Sequence, residues 1–197
     1  MESIATYSET TQEFLDFLKV GQEFRTSSLD LLEDGKSRYL ADLKINFKNS
    51  FESDHISKKE IALLGVALAV NANNAVLKEF FADNARQSGA SSEEIAEATG
   101  CASLLSANNV LYRFRHFVNK EKYNDIPARI KMNIMGRPLA GREFFELMSL
   151  AVSAVNGCEM CVNAHEKSLL ELGSKEERVF EAVRLAAVIT SVSKIIY

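Results

Sequence analysis

Only two prolines interrupt this chain, Pro127 and Pro138, and they fall close together in its second half. Proline lacks a backbone donor and clashes with the preceding turn, so it ends or kinks a helix wherever it falls inside one. Outside residues 119–141 no such break occurs, and apolar residues recur with helical period on both sides. The chain therefore reads as nearly all α. Phe14, Leu15, Phe17 and Leu18 share one side of a helix expected over about residues 10–24. Tyr39, Leu40, Leu43 and Phe47 share one side of a second, expected over about residues 36–49, with Gly35 marking the break between them.

Three further helix starts carry the pattern Ser-x-x-Glu: Ser57 with Glu60, Ser91 with Glu94 and Ser174 with Glu177. Each pair can satisfy backbone N–H groups at a helix N-terminus reciprocally. Gly89 and Gly173 precede two of these starts and can end the preceding helices in the left-handed conformation. The shared punctuation belongs to an internal repeat of roughly 84 residues. Val70-Asn71 lines up with Val155-Asn156, and Glu97-Ala98 with Glu181-Ala182. Two related helical modules result, about residues 57–117 and 142–197, joined by a connector over 119–141. Residues 1–35 form an N-terminal extension, and 36–197 the all-α domain.

A chain of 197 residues with 47% hydrophobic content can bury a core without disulfide or metal staples. A net charge of −4 with dispersed basic residues gives no nucleic-acid footprint. Glu2 and Glu9 interrupt the N-terminus, which argues against a signal peptide. The longest clean apolar run, residues 61–70, is far short of the roughly 20 residues of a membrane helix. Three cysteines without a secretion signal point to a reducing, cytoplasmic setting. There a Cys-x-x-Cys pair is redox-active, catalytic or metal-binding more often than a structural bridge.

That pair is Cys158 and Cys161, in the segment Asn156-Gly157-Cys158-Glu159-Met160-Cys161, with His165 one turn further on. Asn-Gly is a turn signal, so an apolar helix should stop there and a new one begin near Cys158. The first sulfur then sits at a helix N-terminus, where unpaired N–H groups and the dipole favour a thiolate. Residues three apart on a helix have Cα atoms roughly 5 Å apart, within disulfide range. His165 follows Cys161 by four residues on the same face, in reach as a base or proton shuttle. Glu146 interrupts the apolar run Phe144-Phe145-Glu146-Leu147-Met148, where a carboxylate needs a partner, and the preceding antiparallel helix can return it to His165. By spacing alone Cys158 has the better helix end and Cys161 the closer imidazole, and the attacking sulfur stays open between them. In the first module the positions matched to Cys158, Cys161, His165 and Glu146 hold Asn73, Val76, Phe80 and Ile61, which makes that module scaffold. Cys101 reads as a small buried residue, His55 as solvated, and Arg113, Arg115 and His116 as a structural or subunit-contact patch.

At these residues the chain resembles the AhpD-like alkylhydroperoxidases of the carboxymuconolactone decarboxylase superfamily. That family's pattern Glu-x11-Cys-x2-Cys-x3-His falls without a gap on Glu146, Cys158, Cys161 and His165. The likeness runs back through Met132-Asn133-Ile134 and Asn108-Asn109-Val110-Leu111-Tyr112-Arg113 to about Tyr39. The resemblance implies a duplicated all-α bundle, assembled as a trimer. It implies hydroperoxide reduction with no tightly bound cofactor, lipoyl groups of a 2-oxo acid dehydrogenase component serving as external reductant and a peroxiredoxin as a further partner. It also implies that Cys161 is oxidised to sulfenic acid, that Cys158 donates the proton and resolves it, and that Glu146 and His165 relay protons. One position departs from the pattern: Met160 stands where family members carry a histidine. A protein disulfide reductase with little peroxidase activity is the alternative that this departure favours. A Cys/His metal-binding protein is the alternative from another class.

Overall fold

The computed structural model describes residues 6–197, and among them every regular element is helical. The N-terminal part holds α1 (Glu9–Phe17), α2 (Ser27–Asp34) and α3 (Tyr39–Asn49). Next come α4 (Lys58–Asn71), α5 (Ala75–Gln87) and the long α6 (Ser92–Val118). A connector with the short α7 (Glu121–Asp125) and α8 (Asn133–Gly136) leads to α9 (Arg142–Val155), α10 (Glu159–Glu171) and α11 (Glu176–Val192).

Helix α4 forms the centre: every residue from Ile61 to Ala69 is buried, because α5, α6, α9 and α11 all pack on it. A helix apolar on all sides can only be stable when surrounded in this way. Capping boxes at Ser57–Glu60 and Ser91–Glu94 open α4 and α6 as expected. The third does not form. Lys175 is the N-cap of α11, and the Ser174 hydroxyl donates to Glu143 instead. The competing acceptor belongs to an ionic cluster in which Arg178 donates to both Glu143 (2.8 Å) and Glu60 (2.6 Å). The cluster ties the starts of α4, α9 and α11 together.

Burial pushes the Glu60 and Glu143 carboxyls up, but the hydrogen bonds from Arg178, Ser57 and Ser174 outweigh it and hold both below the ordinary glutamate value. A depressed carboxyl contributes stability that is complete above the ordinary value, about 4.3, and lost as pH falls through the lower folded value. Replacing Arg178 by Met should cost about 3 kcal/mol at neutral pH, since it strands two partly buried carboxylates. Urea unfolding should show the gap to wild type narrowing as pH falls below about 4 and the carboxyls protonate. A gap that stays constant with pH would mean Arg178 acts by packing alone.

The N-terminal extension, from residue 6 onward, folds onto the same body. The first expected helix is shorter than its period suggested, since α1 stops at Phe17, and a separate helix α2, not foreseen from periodicity, fills residues 27–34 before Gly35. Phe14 and Phe17 of α1 pack edge-on against Phe47 of α3, and Phe47 and Phe51 meet Phe80 and Phe81 of α5. Ring pairs of this geometry add to plain area burial. The buried Thr26 donates to the Ile195 carbonyl, so the extension also anchors the C-terminus.

The helices of the two modules correspond in order, and the first two of each also in length, whereas α6 with 27 residues outruns α11 with 17. Lys58 and Arg142, Ala75 and Glu159, and Ser92 and Glu176 open matching helices, 84 positions apart each time. Gly89 and Gly173 both have φ near +90°, at 84° and 92°. Asn73 and Gly157, also 84 apart, take the equivalent left-handed turn, with φ of 53° and 67°. This register differs by one residue from the alignment of Val70-Asn71 with Val155-Asn156. The residues opposite Cys158, Cys161, His165 and Glu146 are Asn74, Leu77, Phe81 and Ala62, rather than Asn73, Val76, Phe80 and Ile61.

Candidate active site

Helix α9 ends at Val155, and the left-handed Gly157 reverses the chain so that the Cys158 N–H donates to the Ser153 carbonyl (3.1 Å). That turn makes α9 and α10 an antiparallel pair. Cys158 is the N-cap of α10 and Cys161 lies in its first turn. Their Cα atoms are 5.3 Å apart and their sulfurs at bonding distance, 2.06 Å. In the first module the N-cap is Asn74, whose Oδ1 accepts from the Leu77 N–H (2.9 Å). No side chain caps α10, so a first-turn N–H of the kind that Asn74 satisfies in α5 has no such acceptor at the start of α10. Removing the Asn74 cap by Asn74→Ala should cost about 1–2 kcal/mol of stability. It should leave turnover within about two-fold, because Asn74 lies in the module that lacks the Cys-x-x-Cys pair. Loss of turnover in folded protein, measured beside a thermal melt, would contradict that scaffold reading.

The turn is held by an amide network that runs from the half-buried Asn71 and Asn156 to the buried Asn109 and Ser153. Asn71 and Asn156 exchange side-chain hydrogen bonds (3.0 and 3.1 Å), Asn156 also donates to Asn109 (2.9 Å), and Asn109 donates to Ser153 (2.9 Å). Arg113 donates to the Asn156 carbonyl, a structural use of the basic patch on α6. Amide networks of this kind fix geometry when each group finds a partner.

The return of α10 along α9 brings His165 onto Glu146, with Nδ1 2.6 Å from Oε2. Both side chains are largely covered, 12% and 14% exposed. A carboxylate only accepts, so Nδ1 carries the hydrogen and Nε2 is left as the basic nitrogen. The opposite positions in the first module are Phe81 and Ala62. There the Phe81 ring packs so closely on Gly65 that a Cβ at Gly65 would lie 2.1 Å from it.

The two sulfurs differ in access. Cys158 is 1% exposed and Cys161 8%. Cys161, with His165, lines a pocket of about 350 Å³ completed by Leu105, Asn108 and Tyr112 of α6, Met132 and Met135 of the connector, and Met160 and Ala164 of α10. Cys158 does not line it. The pocket wall was missed in the sequence reading, where Asn108, Tyr112 and Met132 entered only through the family resemblance. Asn108 donates its Nδ2 to the Met132 sulfur (3.2 Å), while its buried Oδ1 has no partner among the described residues. Glu97, buried in α6, accepts from the Leu139 and Ala140 N–H groups (2.7 and 2.8 Å) and so pins the end of the connector.

The remaining candidates lie elsewhere. Cys101 is fully buried with its sulfur 3.6 Å from the Ser149 hydroxyl, and burial pushes its thiol up to about 12. His55 is exposed, and His116 stands 3.5 Å from Glu159 at the surface.

Residues 124–197 match the Carboxymuconolactone decarboxylase family. Over 165 residues the chain is 38% identical to the alkyl hydroperoxide reductase AhpD of Beijerinckia indica subsp. indica, covering 83% of this chain and 91% of that protein. It is 37% identical to that of Anaeromyxobacter sp. (strain K), covering 83% and 87%. With the Corynebacterium kroppenstedtii protein of the same name it shares 36% identity, over 86% of this chain and 96% of the relative.

Proposed function

The chain belongs to the family of alkyl hydroperoxide reductase AhpD, and on that premise we propose that it is an antioxidant thiol peroxidase working through a dithiol–disulfide cycle at Cys158 and Cys161. The observation that carries this reading is that the more accessible sulfur and an imidazole line one pocket, and a carboxylate hydrogen-bonded to the imidazole orients it.

In the proposed cycle the pocket receives the hydroperoxide, and His165 Nε2 takes the Cys161 proton. The thiolate attacks the terminal peroxide oxygen, the O–O bond breaks, and a proton from Cys158 accompanies the departing alkoxide as alcohol. Cys161 is now a sulfenic acid. The Cys158 thiolate, favoured by the uncapped start of α10, attacks that sulfur, and the hydroxide it expels leaves as water with the proton held on His165, which gives the disulfide and restores the neutral imidazole. One hydroperoxide and two thiols thus give one alcohol, one water and one disulfide. Glu146, hydrogen-bonded to Nδ1, stabilises the imidazolium in between.

An external dithiol then restores the thiols by exchange. Lipoyl groups on a 2-oxo acid dehydrogenase component suit this step, and a peroxiredoxin is a fitting further partner, in the cytoplasm and with no cofactor held tightly. A homotrimer is part of the reading. Val110, Phe114 and Phe117 form an exposed apolar strip on α6 of the kind that subunit contacts cover. Among the described residues no helix is long and apolar enough to cross a membrane, and no His, Cys, Asp and Glu cluster has metal-holding geometry.

One observation favours a second reading, a protein disulfide reductase: Met160, a thioether without an exchangeable proton, precedes Cys161. A peroxide-consumption assay run in parallel with dihydrolipoamide, thioredoxin and glutathione separates the two. Rapid loss of hydroperoxide with dihydrolipoamide supports the peroxidase. Rapid disulfide exchange without loss of hydroperoxide supports the reductase.

A further inference from the structure

Three of the five methionines, Met132, Met135 and Met160, line the pocket that Cys161 opens onto. Thioethers suit an apolar wall because they are flexible and polarizable, yet peroxides oxidise them. A reduced Cys161 meets hydroperoxide first, since a thiolate is the stronger nucleophile. Once the sulfurs are joined, as they are here, the nucleophiles left around the pocket are the thioethers and the His165 ring.

The thioethers are not equivalent. Met148 is 1% exposed in α9 and lies away from the pocket. The Met132 sulfur is engaged by the Asn108 amide, which draws on the lone pair an attack would need. Met135 is partly buried against the core. Met160, beside Cys161 in the first turn of α10, is 37% exposed and on the pocket wall.

We propose that Met160 is a modification site: when the dithiol is spent, the Met160 thioether takes oxygen from hydroperoxide and becomes the sulfoxide. The inference rests on the peroxidase reading for the presence of hydroperoxide in this pocket. Sulfur attacks the terminal oxygen, the O–O bond breaks, and the proton passes to the alkoxide. One thioether and one hydroperoxide give one sulfoxide and one alcohol, with sulfur oxidised by two electrons and the peroxide reduced by two. The new S–O dipole in a largely apolar wall weakens binding of apolar hydroperoxides until a methionine sulfoxide reductase removes it. Met160 in this account records that peroxide has outrun the reductant supply.

The test incubates full-length protein in its disulfide form with cumene hydroperoxide and maps oxygen addition by peptide mass spectrometry over time. N-acetylmethionine amide in the same tube gives the unassisted rate. Met160 should gain oxygen at least about 10-fold faster than Met132, Met148 or the free amide, because the pocket holds peroxide beside it. In protein kept reduced by dihydrolipoamide the modification should be suppressed until the reductant is exhausted. After exposure and re-reduction of the disulfide, wild type should show a raised KM for cumene hydroperoxide relative to its unexposed state, and Met160→Leu should show no such change. Oxidation of Met160 no faster than the free amide overturns the proposal, as does a Met160→Leu protein that loses affinity to the same extent. The two readings fail separately. If the reduced dithiol forms its disulfide with cumene hydroperoxide while Met160 stays intact, only this inference falls. If the dithiol ignores hydroperoxide while Met160 oxidises rapidly, the modification site stands and the peroxidase cycle falls.

Discussion

Replacing Cys161 by serine is expected to reduce hydroperoxide turnover to the uncatalysed background, a loss on the order of 10³-fold or more, as when a covalent nucleophile is removed. Serine keeps the shape and the hydrogen-bonding capacity of the site but is a far weaker nucleophile near neutral pH. The companion variant Cys158→Ser should behave differently. Its Cys161 still faces the pocket beside His165, so it should consume about one equivalent of peroxide and then stop, with a sulfenic acid on Cys161 that dimedone traps. Turnover should vanish in both variants, but the single oxidation should survive only in Cys158→Ser. If dimedone instead labels Cys158 in the Cys161→Ser protein, with an equal burst of peroxide consumption, the order of the two sulfurs is reversed. The helix N-terminus would then outweigh pocket access in choosing the nucleophile.

The second large effect is expected at the carboxylate–imidazole pair. Glu146 and His165 meet at 2.6 Å with both side chains nearly covered, so removing either leaves the other without its partner in a poorly solvated place. General acid–base assistance contributes roughly 10²–10⁴ in rate, and losing the orienting partner forfeits much of it. Glu146→Gln and His165→Ala should each lower turnover by at least about 10-fold, with the double variant little worse than either single one, as for residues that act as a unit. The rate at which iodoacetamide alkylates Cys161 in reduced protein at neutral pH should fall in parallel in both. Effects that multiply in the double variant, or an unchanged alkylation rate, would assign the pair to packing and leave thiol activation to the start of α10.

The sequence made readable what depends on short-range geometry. Cys158, Cys161 and His165 are spaced so that any helix starting at the Asn-Gly turn must gather them, and the structure starts α10 there. Glu146 was readable because a carboxylate in an apolar run needs a partner and the antiparallel return of α10 offered one. The pocket was not readable in this way. Its walls come from the middle of α6 and from the connector, brought to α10 by packing and by Glu97 holding residues 139–140. Periodicity within any one segment carries no such information.

The one-residue slip in the repeat has a specific cause. Val70-Asn71 and Val155-Asn156 look equivalent, and Asn71 and Asn156 do exchange hydrogen bonds across the pseudo-symmetric core. The helix ends nevertheless put Ala72, not Asn71, opposite Asn156 as C-caps. Ser174 misled for a different reason: its hydroxyl could cap α11, but Glu143, thirty-one positions earlier, is the competing acceptor. Helix α2 was missed because eight residues carry too little period to stand out, and its stability comes largely from tertiary contacts such as those of Leu29, which is fully buried.

The central claim is that Cys158 and Cys161 together reduce a hydroperoxide, and the most direct test is stoichiometric. Fully reduced protein, freed of reductant, is mixed with one equivalent of cumene hydroperoxide, quenched with an alkylating agent and mapped by mass spectrometry, while the alcohol product is quantified. The account predicts one alcohol formed per protein and loss of two hydrogens confined to the peptide that links Cys158 to Cys161. Cys101 should remain a free thiol, as its burial requires. Hydroperoxide left unconsumed with both thiols still alkylated, or oxidation found at Cys101 instead, would contradict it.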